Sequence, residues 1–288
     1  MKVTRAALPF LPLCQRLLPS RLAGLSLALL KATALELAIL AGHLLLYPSG
    51  VTQERRGPSA PLPSADGAAQ LPTEYKPPVV LLHGFIDNRS VFLLLRRSLA
   101  QHGRQQIESL NYSPLTCDIR TAAELLSRHI EEICERTGSG QVDIVGHSLG
   151  GLIARYYVQR LGGDLRVRTL VTLGTPHSGT RVVPLANAHP IVRQMRPGSE
   201  LLEELTRPAP GCRTHFVSFW SDLDHLMDPL ETACIDHPDL MVQNVRVSGI
   251  GHLALPVHPA VATGIRQALD AEQTGAEAAA QAGGLTVA

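Results

Sequence analysis

A serine set between glycines, Gly146-His147-Ser148-Leu149-Gly150, is the plainest carrier of chemistry in this 288-residue chain. The run before it, Gln141-Val142-Asp143-Ile144-Val145, is short and β-branched and reads as a buried strand. Residues 149–160 combine helix formers with an apolar face and read as a helix. A serine at such a turn is forced into strained backbone angles, and small neighbours keep it clear of adjacent strands. Gly146 and Gly150 meet that need, and Gly151 lets the helix approach the sheet. The helix N-terminus also aims N–H groups at any oxyanion formed beside Ser148. Nucleophilic attack on an acyl carbon is the chemistry implied.

Such a serine needs a base, and the base needs a carboxylate to set its tautomer. Residues 213–220 read as a strand that runs into Ser221-Asp222-Leu223-Asp224-His225. Residues 241–247 alternate like a strand and end in Ser248-Gly249-Ile250-Gly251-His252-Leu253. Of the 12 histidines, His252 alone follows a late strand in a glycine-flanked loop, which marks it as the base. Asp224 is the favoured acid, because it stands far enough past Trp220 to turn inward. Asp222 is the alternative, and Asp228, next to Pro229, reads as a turn residue. The oxyanion donors are expected to be the N–H of Leu149 and that of Phe85. Phe85 lies in the loop His83-Gly84-Phe85-Ile86, which follows a strand at residues 78–82. Its ring would line the acyl pocket, and His83 would hold the loop in shape.

With these residues in place, the chain resembles bacterial, especially actinobacterial, lipases and esterases of the α/β-hydrolase superfamily. The resemblance covers roughly residues 76–270. It rests on His83-Gly84-Phe85 followed by Asp87-Asn88, and on Gly146 to Leu152 continuing into Ala154-Arg155-Tyr156-Tyr157. Leu173-Gly174-Thr175-Pro176-His177-Ser178-Gly179-Thr180, Gln194 to Ser199 and Gly251-His252-Leu253 complete it. The resemblance implies Ser148, Asp224 and His252 as triad, Phe85 and Leu149 as oxyanion donors, and ester hydrolysis as activity. Asp222 so close to the acid departs from the pattern and keeps that assignment open. His83, Gly84, Phe85, His147 and His177 are expected around the substrate, with His177 shaping the wall structurally.

Formal net charge is +1 with no basic stripe, so no nucleic-acid partner is expected. No GxGxxG or P-loop suggests a nucleotide, and the histidines lack zinc-hydrolase spacing, so no cofactor or metal is expected. The acidic residues between Asp222 and Asp239 form no EF-hand pattern that would bind calcium. Cys212 and Cys234 would suit a bridge in an exported domain, or would stand as free thiols.

The first 50 residues differ in kind. Lys2, Arg5, Arg16 and Arg21 come without acidic partners, and residues 22–47 are almost continuously apolar. About 20 helical residues suffice to cross a bilayer. Lys31, Glu36 and His43 interrupt the run, however, and fall within one arc of about 140° at roughly 100° per residue, so an amphipathic helix at the membrane interface or packed on the domain also fits. The preferred readings are, in order, an uncleaved anchor facing outside, a cleaved export signal, and a helix packed on the domain; a cytoplasmic enzyme is disfavoured. An anchor would be separable, leaving the catalytic domain active without residues 1–50.

Residues 51–77 read as a linker, 78–271 as the catalytic domain and 272–288 as a flexible tail. Alternating strands and helices imply an α/β fold, a mostly parallel sheet flanked by helices. Residues 181–207 stand where a small lid or cap would, and the N-terminal apolar helix is additional. Phe92 and Leu93-Leu94-Leu95 offer apolar wall material or helix core. The function expected is a serine hydrolase of carboxylic esters, with lipids as substrate class. Acyl transfer and thioester or amide cleavage use the same triad. A membrane-held binding protein without catalysis is the rival of another kind.

Overall fold

Val79 and Leu81 of β1 (Val79–Leu82) belong to one apolar cluster, and Val80 and Leu82 to another. Successive strand residues point to opposite faces, so a strand apolar at every position must be covered on both sides. The computed structural model describes residues 20–51, 76–85, 87–112, 118–182 and 189–271. Within them, β1 joins β2 (Ile107–Leu110), β3 (Val142–His147), β4 (Val167–Leu173), β5 (His215–Ser221) and β6 (Met241–Val247) in one sheet. The order is β2-β1-β3-β4-β5-β6 and every pairing is parallel.

Besides α1 (Ser20–Val51), the helices are α2 (Leu93–Gln101), α3 (Ile119–Thr137), α4 (Leu149–Arg160), α5 (Pro190–Gln194), α6 (Glu200–Thr206) and α7 (Pro259–Asp270). α3 shows why they form. Asp118 caps it by accepting from the Thr121 N–H at 2.8 Å, and Gly138 ends it at φ 69°. Ile119, Ala122, Ala123, Leu126, Ile130 and Ile133 recur every three or four residues and are buried together with α4. α2 and α7 cover the opposite face. At the far end of the sheet, buried Asp143 takes Arg104 at 2.8 Å and Arg168 at 2.7 Å. Both arginines also donate to the Leu269 carbonyl, fastening the end of α7.

Strand order reverses between β1 and β3, because β2 lies on one side of β1 and β3 on the other. The loops leaving such a reversal diverge and open a crevice at the carboxyl ends of the strands. In register, Leu82 stands beside Gly146, and His147 beside Leu173. The turns after β1, β3 and β4 therefore emerge side by side.

The strands and helices lie within a few residues of their expected positions. The apolar stretch is one helix of 32 residues, longer than expected. The 181–207 segment holds α5 and α6, whose Ile191, Val192, Leu201 and Leu205 are buried. Phe92 and Leu95 prove to be core, whereas Leu93 and Leu94 are exposed. Cys212 and Cys234 stand unbridged. The expected linker across 52–75, the tail across 272–288, Cys14 and Cys117 lie outside the described residues.

Candidate active site

Ser148 is the single non-glycine residue with positive φ among the described residues, at 52°. For an L-residue that conformation is costly, and here the surroundings enforce it. Its N–H donates to the Leu173 carbonyl at 2.9 Å, and its carbonyl accepts from Thr175 Oγ1 at 3.0 Å. A Cβ on Gly146 would lie 2.6 Å from the Gly151 nitrogen, and one on Gly150 would lie 2.3 Å from the Leu82 oxygen. Both contacts are with backbone, which has nowhere to move. The flanking glycines are thus steric requirements of this turn, as the sequence implies.

His252 Nδ1 and Asp224 Oδ2 lie 2.8 Å apart, and both side chains are buried. Asp224 also accepts the Leu226 N–H at 3.0 Å, which fixes its carboxylate. Burial opposes an imidazolium at His252, but the Asp224 carboxylate, helped by Asp87 and Glu36, outweighs it and raises the histidine above its ordinary value. Asp222 turns elsewhere. It takes Arg246 at 3.0 Å and the Gly249 N–H at 3.2 Å, out at the edge of the sheet. Of the two acid candidates, Asp224 is the one that meets His252.

Ser148, His252, Gly84, Phe85 and His147 line one largely apolar cavity of about 920 Å³. Leu149 begins α4, so its N–H belongs to the first turn, whose donors have no partner within the helix. Phe85 reaches the cavity from the β1 loop, with its ring edge-on to His189 at 5.8 Å. Thr180, Val182 and Met195, from the expected lid and its leading edge, complete that side.

Two of the expected wall residues lie behind the wall. His83 stacks on Tyr112 with ring centroids 4.3 Å apart, and Tyr112 donates its hydroxyl to the His83 carbonyl. The His83 ring also contacts the Gly84 carbonyl at 2.9 Å, and burial lowers its pKa. His177 Nε2 lies 3.0 Å from Thr172 Oγ1, which donates to Ser218, which in turn donates to the Ala233 carbonyl. Burial and the nearby Arg155 hold His177 well below its ordinary pKa. Both histidines are buried outside the lining of this cavity: His83 is held by the Gly84 carbonyl and the Tyr112 ring, and His177 by the Thr172 hydroxyl through Nε2.

His147 does line the cavity. Its Nε2–H donates to the His252 carbonyl at 3.2 Å, and its ring lies 4.7 Å from that of His252. Asp87, which the sequence marks only as part of the family resemblance and to which it assigns no role, sits 3.5 Å from His147 and 3.6 Å from His43. Burial works against its ionisation, yet the two histidines hold its carboxyl below the usual range. The polar interruptions of the apolar stretch were the visible signal for such contacts. Glu36 and His43 face the domain, whereas Lys31 is exposed.

A family model described as the alpha/beta hydrolase fold matches residues 77–211. The chain has the α/β-hydrolase fold. Aspergillus fumigatus lipase B superposes with a TM-score of 0.60 at 18% identity, over 68% of this chain and 52% of that one. The mature lipase BlEst2 of Bacillus licheniformis gives 0.58 at 16% identity, over 76% of this chain and 96% of that one. At these identities the likeness is one of fold. A triacylglycerol lipase of Pseudarthrobacter phenanthrenivorans is 31% identical over 111 residues, 36% of this chain and 34% of that lipase. The chain spans about a third of the length of the curated relatives it matches.

Proposed function

We propose that this α/β hydrolase is a serine hydrolase of carboxylic esters whose substrates are lipids. One observation carries the reading: Ser148, on a strained turn, opens into the same apolar cavity as His252, which is paired with Asp224. In the proposed mechanism His252 takes the Ser148 proton as Oγ attacks the acyl carbon. The N–H groups of Phe85 and Leu149 receive the oxyanion. His252 then returns the proton to the departing alcohol, leaving an acyl-enzyme, and activates a water that releases the acid. The apolar cavity supports a fatty acyl chain, and the triacylglycerol lipase similar over 111 residues supports the same class.

The test is a hydrolysis profile across p-nitrophenyl esters of increasing chain length, with tributyrin, a thioester and an amide alongside. The reading expects turnover of esters and tributyrin that disappears in Ser148→Ala. Faster turnover of the thioester or amide, or transfer to an added alcohol in preference to water, would replace it with one of the other acyl chemistries. Absence of all turnover would favour a binding role.

The proposal extends to location at the outer face of a membrane. Residues 29–48 are long and apolar enough to cross one by length and composition. Leu30, Leu37 and Leu45 are exposed on α1, Leu45 to 83%. Yet Glu36 and His43 within that stretch contact the domain. A helix spanning the bilayer would drag those contacts, and the domain, into lipid. The arrangement suits a helix lying in the interface plane, leucines toward the acyl chains. The basic residues ahead of the apolar stretch are those of a segment that directs export.

A further inference from the structure

Glu36 reaches from the middle of an apolar helix to the loop that carries His252. Its two carboxylate oxygens accept the N–H groups of Leu253, at 3.0 Å, and Ala254, at 2.9 Å. Those donors open the run of turns that follows His252, where the Leu255 N–H already bonds back to the His252 carbonyl at 3.4 Å. Without Glu36 they would face a largely apolar cavity, where an unmet backbone donor is costly. Gly251, on the other side of His252, is what lets the carboxylate in. A Cβ there would lie 2.5 Å from Glu36 Cδ.

The same helix grips the other half of the site. Asn88 Nδ2 donates to the Tyr47 carbonyl and Asn111 Nδ2 to the Gly50 carbonyl, each at 2.9 Å. His43 stands 3.6 Å from Asp87 in the loop after β1. α1 therefore bridges the loop bearing Phe85 and the loop bearing His252, and Leu40 and Leu44 form cavity wall between those ties. Polar residues of a pure membrane anchor have no reason to fall at these points.

We infer that α1 is a built-in part of the active site, and that Glu36 is a positioning residue holding the His252 loop in its working geometry. The inference rests on the ester-hydrolase reading. Glu36 touches no reacting atom; it acts through two backbone donors. Misplacing a catalytic group by an ångström costs on the order of a hundredfold in rate, so a two-point tether beside the base has consequences for turnover. The groups that face the His252 ring region are Asp224 from the loop after β5, Asp87 from the loop after β1, His147 from β3 and Glu36 from α1.

The full chain in detergent micelles is assayed with p-nitrophenyl butyrate as wild type, Glu36→Ala, Glu36→Gln, Glu36→Asp and the exposed-site control Lys31→Gln. Glu36→Ala is expected to lower kcat about 30-fold with KM within about twofold. Glu36→Asp should recover part of the loss, and Lys31→Gln should match wild type. In Glu36→Gln the acid limb of kcat/KM should move down by about half a pH unit, since one negative charge near His252 is gone. Hydrogen exchange at the Leu253 and Ala254 amides should quicken at least about tenfold in Glu36→Ala. A kcat for Glu36→Ala within twofold of wild type would overturn the inference. So would a loss of kcat with unchanged exchange at those amides and an unmoved acid limb. If wild type hydrolyses no ester at all, the ester reading falls by itself, and the exchange rates still report whether Glu36 holds the loop.

Discussion

Asp224 and His252 are 28 residues apart in the chain, yet Oδ2 of one lies 2.8 Å from Nδ1 of the other in a buried setting. Asp222, two residues away from Asp224, instead holds Arg246 and the Gly249 N–H. Two carboxylates nearly adjacent in sequence therefore have separate jobs, and substitution should tell them apart.

Asp224→Asn should lower kcat for p-nitrophenyl butyrate by about 10⁴-fold, because an amide supports the wrong imidazole tautomer. Asp222→Asn should cost less than about tenfold, since its partners lie at the sheet edge and act on His252 only through screened charge. Steady-state kinetics of the two variants side by side make the check. A larger loss at Asp222 would reassign the acid.

Ser148→Ala should lose about 10⁴-fold or more of the ester hydrolysis while unfolding at or slightly above the wild-type temperature. The hydroxyl is removed but the turn is kept, and alanine bears no greater strain at φ 52° than serine does. Residual activity above about 1% in a contaminant-free preparation would exclude Ser148 as nucleophile.

The pH profile follows from the raised pKa of His252. Only the neutral imidazole accepts the serine proton, so kcat/KM should fall as pH drops through that pKa. The acid midpoint should lie above the ordinary histidine value of about 6.5. Asp224→Asn, measured in its residual activity, should move the midpoint down, because the main charge favouring the imidazolium is lost. A midpoint below 6 in the wild type would contradict the environment described for His252.

Gly150→Ala should destabilise the domain by about 3 kcal/mol, read as a lower urea midpoint at unchanged slope. The new methyl would meet the Leu82 carbonyl oxygen 2.3 Å away, and β1 is held in the sheet on both sides. A stability within 0.5 kcal/mol of wild type would show the turn to be far looser than the described geometry.

Replacing Leu30, Leu37 and Leu45 together by glutamine should reduce co-sedimentation with anionic phospholipid vesicles. Hydrolysis of p-nitrophenyl butyrate should stay within about twofold, because none of the three lines the cavity. These side chains are exposed on α1, and three apolar-to-polar changes remove the surface that would enter the interface. Unchanged vesicle binding would move membrane association elsewhere on the chain.

Much of the molecule was legible without coordinates because its signals are local. Strand and helix periods, the glycines around Ser148 and the glycine-flanked His252 each depend on neighbours within a few residues, and a parallel sheet follows from strands alternating with helices, whereas the strand order does not. The candidate acid was legible as a preference: distance past Trp220 favours Asp224 over Asp222 without excluding either. The path of the loop after β5 decides which carboxylate reaches Nδ1 of His252. His83 and His177 sit in suggestive motifs, but burial against Tyr112 and Thr172 takes them out of the cavity.

The N-terminal stretch marks the boundary most clearly. Sequence alone determined that residues 22–47 form an apolar helix and that Lys31, Glu36 and His43 share an arc, since a 3.6-residue period is a local property. Where that arc points was decided by tertiary structure alone. Glu36 meets backbone donors more than 200 residues away, and Tyr47 and Gly50 meet asparagines from two other loops. Apolar length looks the same for a helix bound for lipid and one that closes an active site. The difference lies in which buried donors it satisfies, and those donors exist only once the sheet and its loops have folded.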